Sequence, residues 1–186
     1  MAFRSILRIG KSLRLYLFNN LFTYIPFAIV RLPIARCYMT IGSQTNVCPN
    51  VKILNREVDK TQITIGNNCA INPECLLDGR YGKIIIKDNV DIGRGTWIYT
   101  LEHDPHSDYH EIRQGDVIIE ENVWIASRVM ILPGVTIGRG CVIASGAVVT
   151  KDMPPMSIAG GVPAKVIGQR KSKMLYKINF FPDLYT

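Results

Sequence analysis

An aliphatic residue occurs at every sixth position through much of this chain. The longest uninterrupted run is Ile119, Ile125, Ile131, Ile137, Ile143 and Val149. The same spacing occurs in three shorter runs, at 41–53, 65–77 and 86–98. A period of six fits neither an α-helix nor a flat sheet. It is a β-solenoid period, in which each hexapeptide forms one short strand and one turn. The pattern therefore predicts an all-β solenoid over residues 39–166, with the aliphatic residues pointing towards its axis.

Two insertions interrupt this period, and both are candidates for a functional site. Nine residues instead of six separate Leu77 from Ile86, and residues 101–116 form a longer excursion between Ile98 and Ile119. A loop can leave the corner of a solenoid without disturbing the stacked strands, so insertions of this kind carry binding and catalysis.

Both ends of the solenoid are predicted to be covered. Residues 1–38 are expected to form an amphipathic helical cap, because the open end of a solenoid needs one. Two consecutive prolines at 154–155 end the strands, since proline donates no ladder hydrogen bond. The tail, residues 167–186, is first basic and then aromatic. We expect it to form a short helix or an arm that folds back on the body.

The N-terminal segment is basic and contains no acidic residue up to position 36. On a helical wheel Arg4, Arg8 and Lys11 share one face, and the opposite face is apolar: Ile6, Ile9, Leu13, Tyr16 and Leu17. This pattern is typical of a helix at a membrane interface and equally of a cap that buries its apolar side. Both interpretations stay open.

Three other roles of this basic segment are disfavoured: a membrane-spanning helix, a signal peptide and a nucleic-acid-binding segment. The uncharged run 15–30 is shorter than the roughly 20 residues that a spanning helix needs. No small-residue cleavage signal follows it, which argues against a removed signal peptide. The basic residues lack interleaved aromatics, so nucleic-acid binding is not expected.

Composition indicates the number of domains and the redox state of the cysteines. The 186 residues, with a net charge of +7, suit one domain with a sizeable core. The five cysteines form no CxxC pair. Cys69, Cys75 and Cys141 fall two positions before an aliphatic one, which predicts buried reduced thiols. A cytoplasmic setting is therefore favoured over a disulfide framework.

All three histidines, His103, His106 and His110, lie in the excursion 101–116. A histidine can act as a general base that takes a proton from a hydroxyl or amine as it attacks an activated acyl group. A neighbouring acid or a carbonyl would hold the imidazole tautomer, and Glu102 or Asp104 is the candidate acid. A metal site made from the three histidines would need a helical face, which Pro105 disfavours, so no metal is predicted. A solvated polar loop is the remaining interpretation.

Four motifs in this order carry a family resemblance: 122–125, 131–138, 146–152 and 160–167. With the His103–Asp104 step and residues 78–80, the similarity covers about 41–170. The chain resembles the hexapeptide-repeat acyltransferases, in particular the maltose/galactoside O-acetyltransferase-like branch with its exopolysaccharide and lipopolysaccharide acetyltransferases. The resemblance implies a left-handed parallel β-helix, a homotrimer, and acetyl-CoA bound between adjacent solenoids.

The resemblance also implies roles for single residues. His103 matches the catalytic histidine. The positions implied or expected to contact the cofactor are Trp124, Ser127, Ser145, Gly146, Thr150, Lys151, Lys165 and Arg170. CoA is strongly anionic, so we expect Lys151, Lys165 and Arg170 to form a phosphate site at one end of the solenoid. Asp78 and Arg80, with His106 and Tyr109, are expected to contact the acceptor.

The resulting hypothesis is an acetyl-CoA-dependent O-acetyltransferase that acts on a sugar hydroxyl in capsule, exopolysaccharide or lipopolysaccharide assembly. A lipid-linked glycan at the inner leaflet would suit the basic N-terminus, since such segments favour anionic membranes. The alternatives are N-acetylation of an amino-sugar nucleotide or a xenobiotic, a zinc enzyme of the γ-carbonic anhydrase type, and a non-catalytic assembly module.

Overall fold

A computed structural model describes residues 2–55 and 59–180, with all of their side chains except those of residues 2–8 and 11. A helical cap comes first: α1 (Ala2–Asn20), a 3₁₀ turn (Phe22–Tyr24) and α2 (Ala28–Ala35). The strands that follow are β1 (Thr40–Ile41), β2 (Asn46–Val47), β3 (Lys52–Leu54), β4 (Ile63–Ile65), β5 (Ala70–Ile71), β6 (Leu76–Asp78), β7 (Ile84–Ile86), β8 (Asp91–Ile92), β9 (Trp97–Tyr99), β10 (Leu101–His103), β11 (Ile112–Gln114), β12 (Val117–Ile119), β13 (Trp124–Ile125), β14 (Met130–Ile131), β15 (Thr136–Ile137), β16 (Val142–Ile143), β17 (Val148–Val149), β18 (Ser157–Gly160) and β19 (Lys165–Gln169).

Three parallel sheets form the sides of a triangular solenoid. Sheet 1 contains β1, β4, β7, β12 and β15, and sheet 3 contains β3, β6, β9, β14 and β17. Sheet 2 contains β2, β5, β8, β13, β16 and β18, with β19 added antiparallel at its edge. The chain visits the sheets in the order 1, 2, 3, so each coil has a corner 1–2, a corner 2–3 and a corner 3–1. The predicted all-β solenoid is confirmed.

The sixfold pattern becomes the core. Ile71, Ile92, Ile125 and Ile143 stack in register along sheet 2 and are fully buried. Their strand neighbours, such as Trp124 and Val142, point outwards, because successive side chains of a strand alternate between its two faces. Each coil therefore buries one aliphatic residue per sheet and a smaller one near each corner.

Insertions concentrate at corner 3–1. Residues 79–83 and the excursion after β9 leave the solenoid there, as predicted. The segment that joins β3 to β4 is a third long connection at the same corner, which the sequence analysis did not single out. The other two corners keep short turns, so one edge of the prism carries the variable loops.

The cap covers the first coil and completes its hydrogen bonds. The Asn19 amide donates to the Ile53 carbonyl at 2.7 Å and accepts from the Ile53 N–H at 2.9 Å. The Thr23 hydroxyl donates to the Val51 carbonyl at 2.7 Å. Buried Arg31 donates from Nε to the Val47 carbonyl at 2.9 Å. These groups satisfy polar atoms of an edge strand, which would otherwise invite pairing with another chain.

The cap buries a different face of α1 from the one predicted. Phe18 is buried and its ring lies 4.8 Å from that of Tyr38, whereas Ile9, Leu13 and Tyr16 are exposed. The predicted capping by the Ile9 face is therefore wrong, because Phe18 and its neighbours occupy the solenoid end instead. The side chains of Ile6, Arg4, Arg8 and Lys11 lie outside the described set.

Neither helix could cross a bilayer, judged over the residues that the structure describes.

The tail forms an arm, and its described part, up to residue 180, contains no helix. After β19 it extends along corner 1–2, from the last coil towards the first. The Asn89 side chain binds both the Tyr176 carbonyl, at 3.0 Å, and the Ile178 N–H, at 2.8 Å. The amides of Asn68 and Asn46 donate to carbonyls further along, at Ile178 and Phe180. One asparagine per coil thus holds the arm.

Cys69, Cys75 and Cys141 are buried, as predicted, and none of the five cysteines forms a disulfide. Four cysteines are buried, and Cys37 is exposed. Burial raises the pKa of the Cys69 thiol to about 11 and that of Cys75 to about 12. A raised pKa leaves less of the reactive thiolate at a given pH.

We predict that thiol labelling at pH 8 separates Cys37 from the other cysteines. With a pKa near 11, only about one Cys69 in a thousand is thiolate at pH 8, and the side chain is also shielded. One thiol per chain should react within minutes, measured by mass spectrometry, and all five after denaturation. Rapid labelling of Cys69 or Cys75 in the native protein would contradict the burial described here.

Candidate active site

The excursion 101–116 is a β-hairpin. β10 pairs antiparallel with β11, with Leu101 opposite Gln114 and His103 opposite Ile112. Its base is fastened to the solenoid at Thr100, whose carbonyl accepts from the Gly115 N–H at 3.1 Å. The hairpin thus leaves corner 3–1 from a hydrogen-bonded base and presents His103 where β10 ends.

The environment of His103 fixes its tautomer. Nδ1 lies 3.0 Å from the His110 carbonyl oxygen. A carbonyl can only accept, so in the neutral ring Nδ1 carries the proton and Nε2 holds the lone pair. The two imidazoles stack with centroids 3.6 Å apart and planes 11° apart. The side chain is exposed, which leaves Nε2 available as a base.

The two acids proposed to orient this imidazole contact other groups instead. Glu102 faces Arg113 across the hairpin, at 3.5 Å, and the Asp104 carboxylate accepts from the His106 N–H at 2.9 Å. The prediction that Glu102 or Asp104 orients His103 is wrong, because neighbours in a strand point to opposite sides. The orienting group is a backbone carbonyl at His110, where φ is +56°. No side-chain pattern signals such a group.

Asp78 and Arg80 lie at corner 3–1, one coil before the coil from which the hairpin leaves. Asp78 is fully buried, and its carboxylate binds Arg80 Nε at 2.9 Å and Nη2 at 2.7 Å. The Asp78 carbonyl accepts from the Thr100 hydroxyl at 2.7 Å, which ties this pair to the hairpin base. The hydrogen bonds that the Arg80 guanidinium donates to the Asp78 carboxylate raise the pKa of Arg80 above its usual value.

The expectation that Asp78 itself contacts the acceptor is therefore wrong, since its carboxylate is buried and already bound in a bidentate pair. Half-exposed Arg80 is the member of the pair that a ligand can reach. At the hairpin tip His106 and Tyr109 are exposed, so both remain available to a ligand. Burial raises the pKa of Tyr99, whose backbone pairs with that of Asp78.

Corner 2–3 collects half of the residues proposed to contact the cofactor. Ser127 and Ser145 occupy successive turns there, and the Gly146 N–H donates to the Ser127 carbonyl at 3.0 Å. Gly146 has φ +72° and open space where a side chain would begin. Trp124 is half exposed on the adjoining strand of sheet 2, and Lys165 begins β19 just after the last turn.

The proposed phosphate cluster is not assembled within one chain. Thr150 and Lys151 follow β17 at corner 3–1, whereas Lys165 lies at corner 2–3. Arg170 is at corner 1–2, where Nη1 donates to the carbonyls of Asn122, at 2.8 Å, and Gly140, at 3.1 Å. The expected joint site is therefore wrong for a single chain, because its three basic residues occupy three corners. Arg170 fastens the arm instead.

The candidate groups thus form two separate sets. The hairpin, with Arg80 and Lys151, lies at corner 3–1, and Ser127, Ser145 and Lys165 lie at corner 2–3, across the width of sheet 3. No group of three side chains suited to hold a metal ion occurs in the described part of the chain.

Comparison with known proteins supplies a family. The profile described as bacterial transferase hexapeptide (six repeats) matches residues 116–151. A hexapeptide-repeat acetyltransferase of Vibrio cholerae, solved with acetyl coenzyme A, is 30% identical with a TM-score of 0.75, covering 90% of this chain and 89% of that one. The chain belongs to the hexapeptide-repeat acetyltransferases.

Other family members bear this out. A maltose O-acetyltransferase of Clostridium difficile is 31% identical over 89% of this chain and 87% of that one, with a TM-score of 0.68. The galactoside O-acetyltransferase of Escherichia coli K12 is 41% identical over 113 residues, which are 58% of this chain and 54% of that protein. The chain spans about half the length of the curated relatives that it matches.

We predict that Arg80→Met destabilises the fold of this chain. The substitution leaves the buried Asp78 carboxylate without its bidentate partner, which costs about 2–4 kcal/mol. Urea unfolding followed by circular dichroism measures the loss. Arg94→Met is the matched control, because Arg94 pairs with Glu74 at 3.2 Å on the surface and its loss should cost below about 1 kcal/mol. Equal losses would contradict the special role of the Asp78 pair.

Proposed function

We propose that this chain transfers the acetyl group of acetyl-CoA to a sugar hydroxyl, with His103 as the general base. The observation that carries the proposal is the Nδ1 contact of His103 with the His110 carbonyl, 3.0 Å long, which leaves Nε2 free on an exposed hairpin. Acetyl coenzyme A in the Vibrio cholerae relative and the O-acetyltransferase names of two others support it.

His103 would act twice. Nε2 takes the proton of the acceptor hydroxyl as the oxygen attacks the thioester carbonyl, forming a C–O bond. The C–S bond then breaks, and the imidazolium returns the proton to the departing thiolate, so no net proton is consumed. Backbone N–H groups at corner 2–3 of a neighbouring chain are the proposed donors to the oxyanion.

A homotrimer would unite the two sets of candidate groups. A closed ring with threefold symmetry puts one edge of each chain against a different edge of the next. The hairpin at corner 3–1 of one chain would then meet Ser127, Ser145 and Lys165 at corner 2–3 of its neighbour. Lys151 would approach the same groove from the hairpin side. Contact between these corners requires sheet 3 to face the symmetry axis.

The outer face of sheet 3 supports this arrangement. Leu76, Trp97, Met130 and Val148 stack there in register from one strand to the next. Trp97 is almost half exposed and lines two cavities, of about 320 Å³ and about 250 Å³. A contiguous apolar face of this kind marks a protein contact.

The acceptor we propose is a saccharide of a capsule, exopolysaccharide or lipopolysaccharide, including a lipid-linked precursor at the inner face of the membrane. Tyr109 is 88% exposed at the hairpin tip, and a ring in that position can stack on a sugar. We assign the reaction to the cytoplasm, where cysteines that form no disulfide are usual. An amino-sugar acceptor is the second candidate, because the same base serves an amine.

Calorimetric titration with CoA and with acetyl-CoA, without acceptor, tests the cofactor half of the proposal. We expect saturable binding with about one site per chain, as each groove in a ring lies between two chains. We expect Lys165→Ala to bind CoA more weakly than the native chain does, because a contact with a CoA phosphate is lost. Absence of binding by the native protein would overturn the acetyltransferase proposal.

His103→Ala is expected to lower kcat about 10²- to 10⁴-fold, the usual contribution of a general base, with CoA affinity unchanged. Release of CoA from acetyl-CoA, with a panel of sugar acceptors, measures it. Glu102→Gln is the matched control on the same hairpin and should stay within about threefold of the native rate, because Glu102 pairs with Arg113 and not with the imidazole. Native activity in His103→Ala would show that His103 is not the base, and an equal loss in Glu102→Gln would show that Glu102 acts on the imidazole after all.

Mixing two inactive variants tests whether each site spans two chains. His103→Ala removes the base, and Ser127→Trp fills the outer side of corner 2–3. Co-refolded in equal amounts, they should recover about one quarter of the native activity, because each site takes one part from each neighbour at random. Mixing His103→Ala with His103→Gln is the control and should recover nothing. If the mixture of His103→Ala and Ser127→Trp recovers no activity, each site lies within one chain.

A further inference from the structure

The cap exposes more apolar side chain than any other part of the chain that the structure describes. Its exposed large residues, here called the cap face, are Ile9, Leu13, Tyr16, Leu21, Tyr24, Phe27, Ile29 and Val30. Ile29 is 85% exposed and Leu13 54%. Monomeric proteins rarely expose a cluster of this kind without a partner for it.

The cap face points away from the solenoid. Ile9, Leu13 and Tyr16 recur at helical spacing along one side of α1, and buried Phe18 lies on the opposite side, against the first coil. In α2, Leu32 and Ala35 are buried whereas Ile29 and Val30 are exposed. Both helices therefore use one side to close the solenoid and leave the other side open.

The charge around the cap face has a single sign. Residues 1–36 contain six arginines and lysines and no acidic residue. Arg31 does not contribute to this surface charge, because it is buried against the carbonyls of Val47, Ile25 and Pro26. Arg14 and Arg36 are exposed at the surface of the cap. The surroundings of the apolar patch therefore match an anionic partner.

We propose that the cap face docks on the surface of an anionic lipid bilayer, a role that does not depend on the acetyl-transfer reaction proposed above. Apolar side chains on one side of a helix enter the boundary between headgroups and acyl chains, and basic groups beside them bind lipid phosphates. The solenoid axis then stands on the membrane, with the cap between the lipid and the first coil.

A second copy of this chain is the less suitable occupant. Two cap faces in contact would bring two acid-free segments together, and no carboxylate within residues 1–36 could pair with their arginines and lysines. Like charges in a contact of this type are unfavourable, and isologous contacts require self-complementary surfaces. Lipid phosphates supply the missing negative charge.

Co-sedimentation with vesicles tests the proposal on the full chain. We expect binding to vesicles of phosphatidylglycerol and phosphatidylethanolamine, and little binding to neutral phosphatidylcholine. Leu13→Gln with Ile29→Gln should lower the partition coefficient about tenfold or more, because two apolar side chains no longer enter the bilayer. Glutamine preserves helix propensity at both positions.

The matched control is Ile167→Gln with Leu175→Gln. These residues are 68% and 87% exposed but lie outside the cap, so this pair should bind vesicles as the native chain does. Circular dichroism and the molar mass in solution establish that each variant keeps its fold and assembly. The CoA titration described above is independent of both pairs, so failure of the membrane proposal and failure of the acetyltransferase proposal are distinguishable.

Three results would overturn the proposal. The first is that the native chain does not sediment with phosphatidylglycerol vesicles. The second is that the variant with Leu13→Gln and Ile29→Gln, called the cap pair, sediments as well as the native chain. The third is that the cap pair has a different molar mass in solution from the native chain, which would make the cap face a contact between copies. Sedimentation that is selective for anionic vesicles and lost only in the cap pair would support it.

Discussion

The in-register stacking of successive coils is the constraint on which the rest of this structure depends. Strands of sheet 1 pair with the same inward alignment whether 21 residues separate them, as Ile65 and Ile86, or 33, as Ile86 and Ile119. The additional residues of the longer interval form the hairpin and leave the ladder undisturbed. A chain built in this way can vary freely only at its corners, and here the long connections all leave from corner 3–1. The candidate catalytic histidine owes its position to that restriction.

A stack of coils has two ends and no natural stop, and each end is treated differently here. At the first coil, Asn19, Thr23 and Arg31 bind backbone groups that a preceding coil would otherwise satisfy. At the last coil β19 folds back on β18, and the arm continues along a row of asparagines. The first end therefore uses polar side chains in place of a preceding coil, and the last end uses an antiparallel strand in place of a following one.

Sequence alone predicted the solenoid and a histidine-bearing excursion. These features follow from period and composition, which are local properties. The grouping of Lys151, Lys165 and Arg170 was not predictable in the same way, because equal distance from the end of a solenoid does not imply the same corner. The partner of His103 is a carbonyl with no side-chain signature, and the buried face of α1 was decided by Phe18 in competition with Ile9 and Leu13.

The stacked coils also set the distance between the cap and the hairpin along the solenoid axis. Neighbouring coils are spaced by the strand separation of about 4.8 Å, and the hairpin leaves after the third coil. Its base therefore lies two spacings, roughly 10 Å, above the first coil, to which a cap helix adds about 10 Å. A glycan carried on a lipid beneath the cap would present to His103 a sugar far from its lipid anchor, not the one beside the phosphate. If the proposed docking and the proposed acceptor both hold, the number of coils before the hairpin selects which residue of a growing saccharide is modified, and adding or removing one coil moves that choice along the glycan by a fixed step.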